Sequence, residues 1–173
     1  MDTNIVKFAE INNVMEFIIR RGEQRDMASV LKLVIELAVF EKEPNAVKIN
    51  VDDLIDNGFK KNPAFSTFVA EYEGTIVGMA LFYNRFSTWD GPSIHLEDLV
   101  VTEKFRSKGI GKALYDRVLE DALQKGIKRV EWVVLDWNTP AIEFYKSTGA
   151  IMFEEWNVCQ ISNDSIAQYL SKQ

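Results

Sequence analysis

The segment from Leu99 to Ala113, LVVTEKFRSKGIGKA, constrains the fold of this chain more than any other. An apolar run typical of a β-strand ends here, a basic turn with two glycines follows, and a helical period begins. The first N–H groups of a helix lack acceptors within the helix, and the positive end of the helix dipole lies beside them. Glycine lets an anion approach those N–H groups without a Cβ in the way. The pattern predicts an α/β protein with a phosphate or pyrophosphate site at this turn.

The glycine spacing alone leaves the ligand open. The P-loop requires glycine where Arg106 stands and Ser or Thr where Ala113 follows Lys112. The dinucleotide fingerprint requires Gly or Ala where Leu114 stands. A strand–turn–helix also uses glycines for close packing, so the spacing by itself is compatible with both an anion site and a packing role.

The remaining chain alternates between strand and helix periods. Strands are predicted at residues 16–21, 66–72, 75–86, 94–101, 128–135 and 153–161, and helices at 27–40, 51–56, 112–126, 141–148 and 164–170. Asp26 is expected to cap the first helix, and Asn50 with Asp53 to form a capping box at the second. Cys159 is expected to be buried in the last strand. This order predicts one α/β domain with a mixed sheet over residues 15–173. Residues 1–14 are interpreted as an N-terminal extension, with a natural start at Met15 as the alternative.

Composition limits the kinds of partner that the chain can bind and the compartment in which we expect it. The chain of 173 residues has 20 basic and 26 acidic side chains, a net charge of −6, which argues against binding a phosphate backbone. One Cys and one His cannot build a tetrahedral zinc site, and one Cys allows no internal disulfide. No apolar run approaches the ~20 residues that span a bilayer. We therefore expect a cytoplasmic protein with no nucleic acid, membrane or metal partner.

Several motifs together resemble one enzyme family. The stretch FRSKGIG resembles the Arg/Gln-X-X-Gly-X-Gly/Ala loop of the GNAT family of N-acetyltransferases. With ELAVFEK, FVAEYEGTIVGMALFY, TWDGPSIHLEDLVV and LDWNTPAIEFYKSTGA in order, the chain is similar to the diamine acetyltransferases. That group comprises the spermidine/spermine N1-acetyltransferases and the thialysine Nε-acetyltransferases. The resemblance implies a GNAT fold, with a mixed, mostly antiparallel central sheet flanked by helices, splayed central strands that hold acetyl-CoA, and a homodimer.

The resemblance also implies acetyl-CoA as co-substrate and no metal. In the family, two strand residues offer backbone groups to the pantetheine, the turn binds the pyrophosphate, and two residues of a later helix lie along the coenzyme. The corresponding positions are Leu99, Val101, Arg106, Ser107, Lys108, Gly109, Ile110, Gly111, Lys112, Asn138 and Ala141.

Two residues fall on the family's catalytic positions. Acyl transfer needs a neutral amine nitrogen, although an alkylammonium is mostly charged at neutral pH, so a carboxylate that binds the cation and accepts its proton is required. Glu97 matches the family's base-assisting glutamate, and Tyr145 matches the tyrosine near the CoA sulfur, where a phenol can protonate the leaving thiolate. Residues expected to bind the amine are Phe40, Glu41, Trp89, Glu97 and Glu155.

Strict alternation along the strand IHLEDLVV predicts that Glu97 shares a face with His95 and that Asp98 points to the opposite face. A lone histidine on a strand is more often a packed or hydrogen-bonded residue than an active-site group. Both interpretations of His95 remain open from the sequence.

The expected function is direct transfer of acetyl from acetyl-CoA to a small cationic amine in a ternary complex. The substrate is either a thialysine- or lysine-like amino acid or a diamine or polyamine. ELAVFEK and VLDWN resemble the thialysine branch, and Phe40 lacks the tyrosine hydroxyl that the polyamine enzymes have there. The alternatives are acetylation of a protein N-terminus or lysine, and a non-catalytic acyl-CoA sensor or binding protein.

Overall fold

A six-stranded sheet in the order β1-β2-β3-β4-β5-β6 forms the framework of the computed structural model, which describes residues 4–10 and 13–172, with side chains from Glu16 onward. All neighbouring strands are antiparallel except the last pair, which is parallel. The mixed, mostly antiparallel sheet of the prediction is therefore confirmed. The strands are β1 Asn4–Glu10, β2 Asn13–Arg21, β3 Ser66–Tyr72, β4 Thr75–Ser87, β5 Gly91–Val101 and β6 Arg129–Glu131.

Five α-helices accompany the sheet in the described residues. They are α1 Met27–Phe40, α2 Val51–Gly58, α3 Ile110–Gln124, α4 Thr139–Ser147 and α5 Asn163–Leu170. Residues up to Val133 form one compact unit, and residues from Val134 form another. Within the described part of the chain, no helix is both long and apolar enough to cross a membrane.

Helices of the first unit cover both faces of the sheet. Side chains of α1 and α2 pack with one face in a single buried cluster, whose strand members include Val69, Met79 and Val100. The helix α3 covers the other face. There the guanidinium of Arg117 lies 4.7 Å from the ring centroid of Phe68.

Strand β5 contains a β-bulge in its pairing with β4. Leu81 of β4 pairs with Asp98, but the next residue, Phe82, pairs with Leu96, so Glu97 is an extra residue without a partner on β4. A bulge of this kind bends the strand and re-aims side chains. It interrupts the alternation on which the sequence prediction for Glu97 and Asp98 rested.

The start of α1 is fixed by an ion pair and not by the predicted cap. Asp26 occupies the N-cap position, but its carboxylate makes no capping bond to α1. It accepts hydrogen bonds from Arg20 Nη1 and Nη2, at 2.6 and 2.9 Å, and from the Glu23 amide at 2.8 Å. Arg20 also donates to Glu71 at 2.8 Å, so β2, β3 and the start of α1 are joined. By contrast, the predicted capping box of α2 is present between Asn50 and Asp53.

The predicted strand at residues 153–161 is wrong. These residues form no strand, because an apolar run does not by itself supply the partner strand that a hydrogen-bond ladder needs. Their apolar side chains are exposed, and Cys159, expected to be buried there, is exposed as well. The predicted strand at 128–135 is reduced to β6, which ends at Glu131.

The sequence prediction assigned no element to residues 4–10, which pair with β2 as β1. Residues 1–3 and 11–12 of the predicted extension lie outside the described residues. The boundary between an extension at 1–14 and a domain at 15–173 stays a prediction.

We predict that Asp26→Ala lowers the free energy of unfolding by about 2–3 kcal/mol, because it leaves the largely buried Arg20 guanidinium without its bidentate partner. Arg25→Ala is the control, since Arg25 forms an exposed ion pair with Glu23 and its loss is expected to cost less than about 0.5 kcal/mol. Urea denaturation of both variants measures the difference, and similar losses would contradict this account.

Candidate active site

The turn before α3 has the conformation of an anion site. Gly109 is the N-cap of this 15-residue helix and has φ 77°, and Ser107 also has positive φ at 60°. A Cβ added to Gly111 would meet only Val101 Cγ2, at an ordinary 3.7 Å. Packing within the protein therefore does not require glycine at 111. Of the two explanations for this glycine, close approach of a ligand is favoured over close packing of strand and helix.

Strand β6 is short and, among the residues that the structure describes, leaves much of β5 without a strand neighbour on that side. Their pairing covers only Ser93–His95 against Arg129–Glu131. Beyond that point, the β6 edge of β5 has no strand partner among the described residues, and the predicted pantetheine-binding residues Leu99 and Val101 lie there. The splayed central strands expected from the resemblance stay a prediction, because β6 ends at Glu131 while it is still paired with β5.

Arg106 is held by the protein on three sides. Its Nε donates to the Val101 carbonyl at 2.9 Å, its Nη2 lies 3.7 Å from Glu36 Oε1, and its guanidinium lies 5.2 Å from the Phe40 ring centroid. Glu36 also accepts from the Glu103 amide at 2.8 Å. Arg106 thus links the coenzyme turn to α1, where Phe40 was predicted to bind the amine.

The basic groups of the turn differ in their availability. Lys112 forms an ion pair with Asp116 one helical turn away. Lys108 is partly exposed at the turn itself. The backbone N–H groups at the start of α3 and the Lys108 ammonium are therefore the groups expected to meet the predicted anion.

The bulge places three polar side chains on one face of β5. His95 pairs with Tyr83 and Asp98 pairs with Leu81, and residues 81 and 83 share a face of β4. Glu97 Oε2 lies 3.6 Å from His95 Nε2, and the Glu97 carboxylate is hydrogen-bonded to Tyr83. The shared face of His95 and Glu97 is confirmed, whereas the prediction that Asp98 points away is wrong.

Asp98 is a candidate that sequence analysis did not include. Burial raises its pKa to about 6, with the negative charges of Glu97 and Glu41 adding to the shift. Desolvation also raises the pKa of Glu41, which follows directly after α1. We call Glu41, Glu97 and Asp98 the carboxylate cluster. The negative charges of Glu97 and Glu41 that raise the pKa of Asp98 also favour a bound cation beside it.

The two predicted aromatic residues differ in position. Phe40 is the last residue of α1 and lies against Arg106. Trp89 lies in the loop between β4 and β5 and is 81% exposed, so a pocket wall there would need a further partner. Asp90 of the same loop is tied to Arg129 by a 2.7 Å ion pair.

The second unit contains the other four predicted residues. The Asn138 side chain caps α4 by accepting from the Ala141 amide at 3.4 Å, which explains their spacing structurally. Tyr145 lies in α4 and is buried. Glu155 lies in an exposed segment without regular structure.

Comparison with known proteins agrees with the fold and identifies the family of the chain. The model of the acetyltransferase (GNAT) family matches residues 31–150. The thialysine N-epsilon-acetyltransferase of Sus scrofa is 35% identical over 90% of this chain and 98% of its own. The Mus musculus enzyme of that name is 39% identical over 76% of this chain and 82% of its own.

Among solved structures, an integron cassette protein from the V. cholerae mobile metagenome has a TM-score of 0.72 and 22% identity, over 91% of this chain and 98% of its own. It supports the fold alone. The chain belongs to the acetyltransferase (GNAT) family and is an N-acetyltransferase. Within that family it is similar over most of its length to the thialysine enzymes, as the sequence motifs indicated.

We predict that Asp98→Asn stabilises the protein at about pH 8 but not at about pH 4. The raised pKa means that the folded state binds this proton more tightly than the unfolded state, so the ionised carboxylate weakens the fold as pH rises towards about 6. The expected gain at about pH 8 is about 1–2 kcal/mol. Urea denaturation at both pH values measures it, and a loss of stability at about pH 8 would contradict the assignment.

Proposed function

We propose that this protein transfers the acetyl group of acetyl-CoA directly to the side-chain amine of a small lysine-like amino acid such as thialysine. The carboxylate cluster on the bulged face of β5 is the observation that carries the proposal. Similarity to enzymes named for thialysine supports the class of amine.

The coenzyme is assigned to the turn and to the open edge of β5. The backbone of Ser107 through Lys112 would bind the pyrophosphate, because these groups surround the N-terminus of α3. Leu99 and Val101 would offer backbone groups to the pantetheine where β5 has no neighbour on the β6 side. We assign Asn138 and Ala141 to the same coenzyme from the family resemblance.

The amine is assigned to the carboxylate cluster. A side-chain ammonium with a pKa near 10 enters as a cation, and the partly exposed Glu97 can bind it and accept its proton, directly or through a water. Asp98 and Glu41 add negative charge that keeps the cation in place. The neutral nitrogen then attacks the thioester carbonyl, and the acetyl carbon–sulfur bond breaks as the nitrogen–carbon bond forms. The nitrogen gives up its second proton to solvent, which in turn restores the acid that protonates the thiolate.

The leaving thiolate needs a proton, and Tyr145 is the residue assigned to supply it. A phenol is the right acid for a thiolate because it remains protonated at neutral pH. No covalent enzyme intermediate is needed, so the reaction proceeds in a ternary complex. Phe40, Trp89 and Glu155 are proposed to line the far end of the amine site.

Two further parts of the proposal concern the oligomeric state of the protein and the compartment in which it works. Apolar side chains exposed along residues 151–161 would be covered in a homodimer; they are Ile151, Phe153, Trp156, Val158 and Ile161. Cys159 in this segment is a free thiol, which fits a reducing, cytoplasmic compartment. Light scattering of the full chain tests the dimer, which a monomer at micromolar concentration would exclude.

The substrate class is tested by comparing kcat/KM for thialysine, lysine, putrescine and spermidine at saturating acetyl-CoA. We expect thialysine to exceed spermidine by at least about tenfold, because Phe40 offers no hydroxyl for a second amine and the carboxylate cluster suits a single ammonium. Equal efficiencies would reject the lysine-like class. Binding of acetyl-CoA without turnover of any amine would instead support a coenzyme sensor.

We predict that Glu97→Gln lowers kcat for the amine by about a hundredfold or more and leaves the Kd of acetyl-CoA unchanged, because it removes the proton acceptor and not the coenzyme turn. Glu120→Gln is the matched control, since Glu120 is exposed on the outer side of α3. Steady-state release of free CoA thiol and calorimetry give the two values. Wild-type turnover by Glu97→Gln would remove Glu97 from the mechanism.

A further inference from the structure

His95 lies between the proposed base and a network of ions at the edge of the sheet. Its side chain is only 14% exposed, and its ring lies 5.2 Å from that of Tyr83. The Nε2 atom faces Glu97 Oε2 at 3.6 Å. On the other side of the ring, Nδ1 lies 3.4 Å from Arg85 Nη1 and 3.9 Å from Glu131 Oε1.

The ion network fixes the position of Arg85. Its guanidinium forms a close ion pair with Glu131, which also accepts from Arg129 Nη2 at 2.9 Å. Arg129 in turn is paired with Asp90 at 2.7 Å. These contacts join β4, β6 and the loop between β4 and β5, so Arg85 is held against the histidine ring from outside.

Arg85 determines which nitrogen of the neutral imidazole carries the hydrogen. A guanidinium can only donate hydrogen bonds, so the histidine nitrogen beside it acts as the acceptor. Nδ1 is that nitrogen, and Nε2 therefore carries the hydrogen and directs it at the carboxylate of Glu97. The 3.6 Å separation fits a contact that tightens when substrate binds, as catalytic hydrogen bonds commonly do.

We propose that His95 is a positioning residue, whose Nε2–H holds the Glu97 carboxylate in its productive orientation while Arg85 fixes the imidazole tautomer. The contact complements the hydrogen bond from Tyr83, so two donors on one face of the sheet orient the base. The inference rests on the proposed role of Glu97. It explains why the chain's single histidine faces the bulge and not the core.

Two amide variants test the proposal. In His95→Gln the amide nitrogen can occupy the place of Nε2 and donate to Glu97, whereas in His95→Asn the amide reaches only the place of Nδ1. Both changes remove the imidazole and introduce an uncharged amide, so they are matched. We expect His95→Asn to lower kcat by about tenfold, with the KM for acetyl-CoA unchanged, and His95→Gln to retain kcat within about threefold of the wild type.

The outcomes separate this inference from the proposed function. Glu97→Gln is measured in parallel, and its turnover at the wild-type rate would reject the base itself. If Glu97→Gln is inactive but the two amide variants have equal kcat, whether both high or both low, the positioning role of Nε2 is overturned. Thermal unfolding and acetyl-CoA binding are measured for each variant, and a normal Tm and Kd with reduced kcat in His95→Asn alone support the proposal.

Discussion

The extra residue in β5 brings together the side chains to which the proposed chemistry is assigned. Without the bulge at Glu97, strict alternation would send Asp98 to the face opposite Glu97 and His95. With it, all three side chains lie on one face, and the negative charge of Glu97 is close enough to raise the pKa of Asp98. The bulge also lies just beyond the last residue of β5 that pairs with β6. One local irregularity therefore gathers acids on a face and coincides with an open strand edge.

The basic and acidic side chains of the candidate site lie in different parts of it. Its net charge of −6 includes a small basic turn, whose backbone faces the assigned coenzyme, and a carboxylate cluster suited to an ammonium. Arg106 links the turn to β5 and α1, because it contacts the Val101 carbonyl in β5 and the Phe40 ring at the end of α1. Arg106, which directly precedes the proposed pyrophosphate loop, thus contributes a positive charge and also supports Phe40, a residue assigned to the amine site.

Sequence patterns predicted the parts of the fold that depend on local chemistry. Helices α1 to α5 follow from periodicity and caps, such as the Asn50–Asp53 box and the Asn138 cap. The final strand could not be predicted correctly, because an apolar run such as FEEWNVCQI reads as a strand whether or not a neighbour completes its ladder. The sequence analysis left residues 4–10 unassigned, since their asparagine-rich context favours no element, and pairing with β2 decides them.

For the candidate site, family motifs located Glu97 and the coenzyme turn, whereas the contribution of Asp98 required the structure. Nothing in LEDLVV distinguishes a bulged strand from a regular one, because a bulge is a property of the register between two strands. The same holds for His95. Its contact with Glu97 follows from spacing, but its dependence on Arg85 and Glu131 arises from three strands that meet only in the folded sheet.

The most direct test of this account is a crystal structure of the protein with CoA and thialysine bound. The account predicts the side-chain amine of thialysine within hydrogen-bond distance of Glu97, directly or through one water, with Asp98 on the same side and the pyrophosphate at the N-terminus of α3. An amine bound away from the bulged face of β5, with the pyrophosphate still at that helix, would contradict the central role of the bulge.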